Sequence, residues 1–206
     1  MALFFVFSMF LGGALQLTNA YGDVFLDEFK HFPKYADSFV IQYSTIIMSI
    51  SQVSETLFIL AIPFFLRRFG IKQVMLISML AWVLRFGLFA FGDPNQGLWM
   101  IVLSCIVYGM AFDFFNISGS LFVEKEADIK IRASAQGLFM LMTNGIGAYF
   151  GGMISGWVVD HFTLNGVKDW QSIWFTFAAY ALALAIIFPF VFNYKHDVIK
   201  EEIGHH

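Results

Sequence analysis

The sequence predicts an all-α membrane protein of six transmembrane helices. Three observations carry that reading. Hydrophobic residues make up 59% of the chain and charged residues only 13%, against roughly 45–50% and 25% in soluble domains. The apolar residues also gather in long blocks, without the alternation a half-buried soluble element would show. Polar turn signals separate the blocks, leaving stretches near the ~20 residues a helix needs to cross hydrocarbon.

The first span covers residues 1–21. A secretory signal also places an apolar stretch here, with small residues near Thr18, Asn19 and Ala20. Such a signal wants a basic start, and the first cation of this chain is Lys30, so a span is the better reading. The remaining spans cover residues 39–66, 74–91, 98–123, 133–159 and 171–193. Gly92, Asp93, Pro94 and Asn95 form one turn signal, and Leu164, Asn165 and Gly166 another. Pro63 and Pro189 fall inside spans and should kink them. Residues 1–196 then make one bundle, and residues 197–206 a polar tail.

Span five carries two glycine pairs, Gly147/Gly151 and Gly152/Gly156, at the spacing that lets helix backbones approach closely. No strand precedes them, so they are not a phosphate-binding loop. Cys105 is a single cysteine within an apolar block, which gives neither a disulfide framework nor a cysteine metal site. No metal or other cofactor is expected. Without a basic run there is no nucleic-acid partner to expect either; the partner is the lipid bilayer.

Charge sets the orientation. Arg67, Arg68, Lys72, Lys125, Lys130, Arg132, Lys195 and Lys200 fall in one set of loops and the tail, while Lys30, Lys34 and Lys168 fall in the other. The richer set should face the cytoplasm, so both termini should be inside.

Glu55, Arg85 and Asp113 are ionisable residues well inside spans. Each costs roughly 2.5–3.5 kcal/mol near the bilayer centre on insertion scales, so each wants a partner or an aqueous cavity. Polar neighbours accompany them. Gln52 and Glu55 share a face of span two, Gln16 and Asn19 repeat that spacing in span one, and span four places Tyr108, Phe112, Asp113 and Asn116 together. Three such stripes suggest a lined cavity. Side-chain amides match the mixed edge of a base or a sugar hydroxyl, and a carboxylate can accept from two adjacent hydroxyls. Tyr108 and Phe112 offer rings on which a planar group can stack. No lysine joins the stripes, so a neutral, aromatic, hydroxyl-bearing solute fits better than a phosphorylated one.

A carboxylate at membrane depth also suits proton coupling, because its hydration changes during a transport cycle; Glu55 and Asp113 are the candidates. Arg85 should lie about 9 Å from the outer end of its span and Asp113 about 20 Å in. Arg85 is therefore expected to snorkel outward or contact an outer-side carbonyl rather than pair with Asp113. Catalysis is not expected: an intramembrane aspartyl protease uses Gly-x-Gly-Asp, whereas Met110, Ala111 and Phe112 precede Asp113.

Three stretches carry a resemblance to a known family. Ser49-Ile-Ser-Gln-Val-Ser-Glu-Thr-Leu-Phe-Ile-Leu60, Tyr108-Gly-Met-Ala-Phe-Asp-Phe-Phe-Asn-Ile-Ser-Gly-Ser120 and Arg132-Ala-Ser-Ala-Gln-Gly137 closely resemble the bacterial nucleoside:proton symporters of the major facilitator superfamily. The likeness runs from Phe4 to His196 and implies the carboxy-terminal six of twelve helices. It implies a solute site on Gln16, Asn19, Gln52, Glu55, Tyr108, Phe112 and Asp113, and a nucleoside and a proton as partners. Leu66-Arg-Arg-Phe-Gly-Ile-Lys72 resembles the superfamily's cytoplasmic Asp-Arg-x-Gly-Arg loop, with Arg67 where an Asp is usual. The expectation is half of a transporter, a fragment that needs an amino-terminal six-helix half or a second copy. The alternatives are a carrier half for another neutral solute, such as a sugar, and a non-transporting membrane subunit.

Overall fold

Long apolar blocks fold here as helices because hydrocarbon offers no partner to a free backbone N–H or C=O. The computed structural model describes residues 1–35 and 38–192, with every side chain among them except those of Thr18, Asn19 and Val40. Lys195, Lys200 and the tail lie outside the described residues. Helix α1 covers Ala2–Glu28, the short α2 Phe39–Gln42, α3 Ser44–Phe91 and α4 Leu98–Glu126. Helix α5, Arg132–Met140, continues through a π-helical stretch, Leu141–Gly147, into α6, Ala148–His161. Helix α7 spans Trp170–Val191.

Among the described residues, five stretches are long and apolar enough to cross a membrane. Five and six reconcile at Gly70. Helix α3 is 48 residues long, and at Gly70 its backbone swings to φ 77° and ψ 168°, a region essentially reserved for glycine. Before that point, Ser54 donates to the Ile106 carbonyl and Ile62 packs with Phe114. After it, Ser78 donates to the Ala111 carbonyl at 2.5 Å and Arg85 to the Ser104 carbonyl at 2.7 Å. Partner numbers on α4 rise before Gly70 and fall after it. The two halves of α3 therefore run in opposite directions, and the bundle has six spanning helices.

Helix α4 lies along α3, α7 backs α3, and α1 packs on span five and α7. Helix α1 runs beyond Tyr21 because Phe25 and Leu26 are buried there. The Phe25 ring meets Phe89, Trp170 and Trp174 at 5.6, 5.4 and 5.7 Å. At the opposite end Phe4 meets Phe122, Phe139 and Phe192 at 4.7, 5.7 and 5.6 Å. Rings at such separations add attraction beyond the area they bury.

Of the two glycine pairs in span five, one makes the close approach. A Cβ on Gly147 would stand 2.3 Å from the Met9 carbonyl oxygen, and one on Gly151 would stand 2.4 Å from the Gly13 Cα. Gly152 has nothing within 4 Å and Gly156 only the Tyr21 hydroxyl at 3.8 Å. Spacing marked both pairs, but only the first faces α1.

Polar ties join the loops after spans one, three and five at one end of the bundle. Glu28 Oε2 accepts from Lys168 Nζ at 3.0 Å and from the Trp170 indole at 2.8 Å. The Tyr35 hydroxyl donates to the Asp93 carboxylate, and Ser38 donates to the Pro94 carbonyl at 2.8 Å. The expected turn at Leu164–Gly166 is a two-residue hairpin between β1, Thr163–Leu164, and β2, Val167–Lys168. Asn165 and Gly166 take φ 52° and 79°, as an Asn-Gly hairpin turn requires.

Candidate functional site

The first half of α3 sets Thr45, Ser49, Gln52 and Glu55 at steps of four, three and three, which a helix gathers on one face. Most of that stripe opens on a cavity of about 290 Å³. Asp23 of α1, Thr45, Ser49 and Gln52 of α3, Arg85 of the returning half of α3, and Tyr108 of α4 all line it. A second cavity, about 380 Å³ between α1, α6 and α7, is lined by apolar groups such as Phe10, Ile154 and Phe177. Its chemistry does not suit a hydroxyl-bearing solute.

Tyr108 is buried and lines the polar cavity. Phe112, one turn along α4 and half-buried, stacks on it at 5.6 Å and 25°. Trp82 meets it edge-on at 5.9 Å and 88°. The Arg85 guanidinium carbon lies 4.3 Å from its centroid.

Glu55 is half-buried where α3 and α4 touch. A Cβ on Gly109 would stand 2.6 Å from the Glu55 backbone nitrogen, so glycine is what permits the contact. Glu55 lies within electrostatic reach of both Arg85 and Asp113. Asp113 is 7% exposed, and among the described residues its Oδ2 has no hydrogen-bond partner. Asn116 donates to the Phe112 carbonyl at 3.1 Å, while its Oδ1 is likewise without a partner among the described residues.

Among the residues singled out in the sequence, Gln52 and Tyr108 line the cavity and Phe112 stacks on Tyr108. Glu55, one turn along α3 from Gln52, and Asp113, within electrostatic reach of Glu55, are not part of the lining. Gln16 is half-buried on α1 and outside this cavity's lining. The side chain of Asn19 lies outside the described residues. Of its two expected roles Arg85 takes the carbonyl contact and does not snorkel: it is 1% exposed and donates to the Ser104 carbonyl. The inward path is favoured because a carbonyl and two rings, Tyr108 and Phe89, receive the guanidinium.

Asp23, Thr45, Ser49 and Arg85 are cavity residues that the sequence reading left out of the site. A signal for three of them was present. Asp23 lies seven residues after Gln16, and Thr45 and Ser49 continue the Gln52 stripe at helical spacing.

A family model described as the nucleoside H+ symporter matches residues 1–197. The chain is 61% identical over 206 residues to the xanthosine permease of Escherichia coli (strain K12), covering 100% of this chain and 49% of that protein. It is 60% identical over 197 residues to the nucleoside permease NupG of the same strain, covering 95% and 47%. A crystal structure of the nucleoside transporter NupG matches with a TM-score of 0.90 at 60% identity, over 95% of this chain and 48% of that one. The chain spans about half the length of the curated relatives it matches, and corresponds to their carboxy-terminal half.

Proposed function

We propose, from the premise that this chain belongs to the nucleoside H+ symporter family, that it forms one half of a proton-coupled nucleoside transporter. The observation that carries this reading is the polar cavity where Gln52, Arg85 and Tyr108 meet, with Glu55 one turn along α3 from Gln52 and within electrostatic reach of Asp113. A planar base stacks on the Tyr108–Phe112 pair, and its edge and the ribose hydroxyls bond to Gln52. Glu55 and Asp113 bind hydroxyls or carry the coupled proton. The Oδ2 of Asp113, without a hydrogen-bond partner among the described residues, supports that role, since a buried carboxylate oxygen is costly to leave unbonded.

An amino-terminal six-helix half supplies the other wall, and alternating access follows from rocking one half against the other. The described residues form the bundle in the bacterial inner membrane, with the loops after spans two and four on the cytoplasmic side, as the lysine and arginine distribution favours. The chain transports and does not catalyse.

Uridine uptake driven by a proton gradient tests this, in cells that make this chain with an amino-terminal half. Glu55→Ala and Asp113→Ala should each abolish uptake while the chain still inserts. Normal uptake by both variants would remove the two carboxylates from the site.

A further inference from the structure

We infer that Arg85 is a positioning residue of the solute site: anchored on the Ser104 carbonyl, its guanidinium fixes the Tyr108 ring that lines the cavity. The inference rests on the nucleoside reading above and adds to it a residue with a distinct task. Arginine is among the costliest side chains to place at membrane depth, so its retention calls for a specific role.

Arg85 is tied on both sides. Its guanidinium donates to the Ser104 carbonyl at 2.7 Å, and the Ser104 hydroxyl donates back to the Arg85 carbonyl at 3.2 Å. This reciprocal pair registers the returning half of α3 against α4, four residues before Tyr108. From that anchor the guanidinium carbon lies 4.3 Å from the Tyr108 centroid and 5.1 Å from that of Phe89. A flat, delocalised cation can stack its plane on a ring while its N–H groups bond elsewhere; an ammonium is drawn to a ring only as a compact point charge and has no plane to stack. Tyr108 in turn carries the stacking contact to Phe112. Arg85 therefore acts through Tyr108, and its loss should loosen base stacking more than it alters the transport step.

The test uses the assembly of this chain with an amino-terminal half and follows uridine uptake per inserted molecule. Arg85→Lys keeps the charge and loses the plane. It should raise the uridine KM about tenfold, with the maximal rate within about twofold. Arg85→Gln keeps a flat donor and should fall between Arg85→Lys and the parent. In a Tyr108→Leu background, Arg85→Lys should add no further loss, because the ring through which it acts is gone. An unchanged KM in Arg85→Lys, or losses that multiply independently in the double variant, would overturn the proposal. Failure of both Arg85 variants to insert would assign Arg85 to folding alone and overturn it as well. A parent assembly that transports no uridine would instead fail at the nucleoside reading, and the Arg85 proposal would fall with it.

Discussion

The backbones of Gly12 and Thr143 lie so close that a Cβ on Gly12 would stand 2.1 Å from the Thr143 carbonyl oxygen. Thr143 belongs to the π-helical stretch of span five, so α1 meets that span where its turn is wider. The contact is backbone against backbone, which leaves no flexible side chain to move aside. Gly12→Ala should destabilise the bundle by about 1–3 kcal/mol through overpacking, read as a lower thermal midpoint in detergent. Gly152→Ala is the control. Nothing lies within 4 Å of its added methyl, and alanine favours a helix by up to about 1 kcal/mol over glycine, so its midpoint should not fall.

Gly70 makes spans two and three a hairpin within one continuous run of α3. Its φ of 77° and ψ of 168° exclude a side chain without strain, so Gly70→Ala should cost about 1–3 kcal/mol. The same thermal scan checks it. A midpoint equal to that of the parent would mean that the turn tolerates another conformation.

Glu28 ties the end of α1 to the hairpin and to the first turn of α7. It is 17% exposed and its partner Lys168 29%, so solvent screens the pair only in part. Glu28→Ala should cost about 1–3 kcal/mol, because Lys168 and the Trp170 indole both lose a charged acceptor. Glu28→Gln keeps an acceptor and should cost less. Equal losses in both variants would place the contribution in the carboxylate charge rather than in packing or in the presence of an acceptor.

Asp93 gives the loops after spans one and three a pH dependence. Burial alone raises its carboxyl, but the Tyr35 hydroxyl, the backbone N–H groups of Asn95 and Gln96 and the Lys34 charge hold it below its ordinary 3.8. A depressed carboxyl stabilises the fold fully above its unfolded value and loses that contribution as pH falls through the folded one. Asp93→Asn should therefore melt below the parent at neutral pH, and the gap should narrow as pH falls past 3.8. A gap that stays constant over that range would show that Asp93 contributes no linked proton.

The number of spans was legible because a bilayer demands long apolar blocks, and Asp113 and Glu55 were legible because ionisable residues stand out inside them. For Arg85 a carbonyl contact was one of the two roles expected, but its particular partners were not legible. Its depth follows from residue count, but whether Ser104 and Tyr108 lie against it depends on helix rotation, which spacing does not fix. The same limit explains Gly152, whose spacing matched that of Gly147 while its face met nothing. Asp23 was missed for a different reason. The first span was ended at Tyr21, whereas buried Phe25 and Leu26 carry the helix on to Glu28 and turn Asp23 toward the cavity.

Uridine binding to the purified chain, alone and with an amino-terminal half of a family member added, tests the central claim most directly. Half of a split nucleoside site should bind uridine only once the other half is present, and that binding should be lost in Asp113→Ala. An assembly that binds no uridine, or binds it equally well with Asp113→Ala, would contradict the assignment of this cavity to a nucleoside.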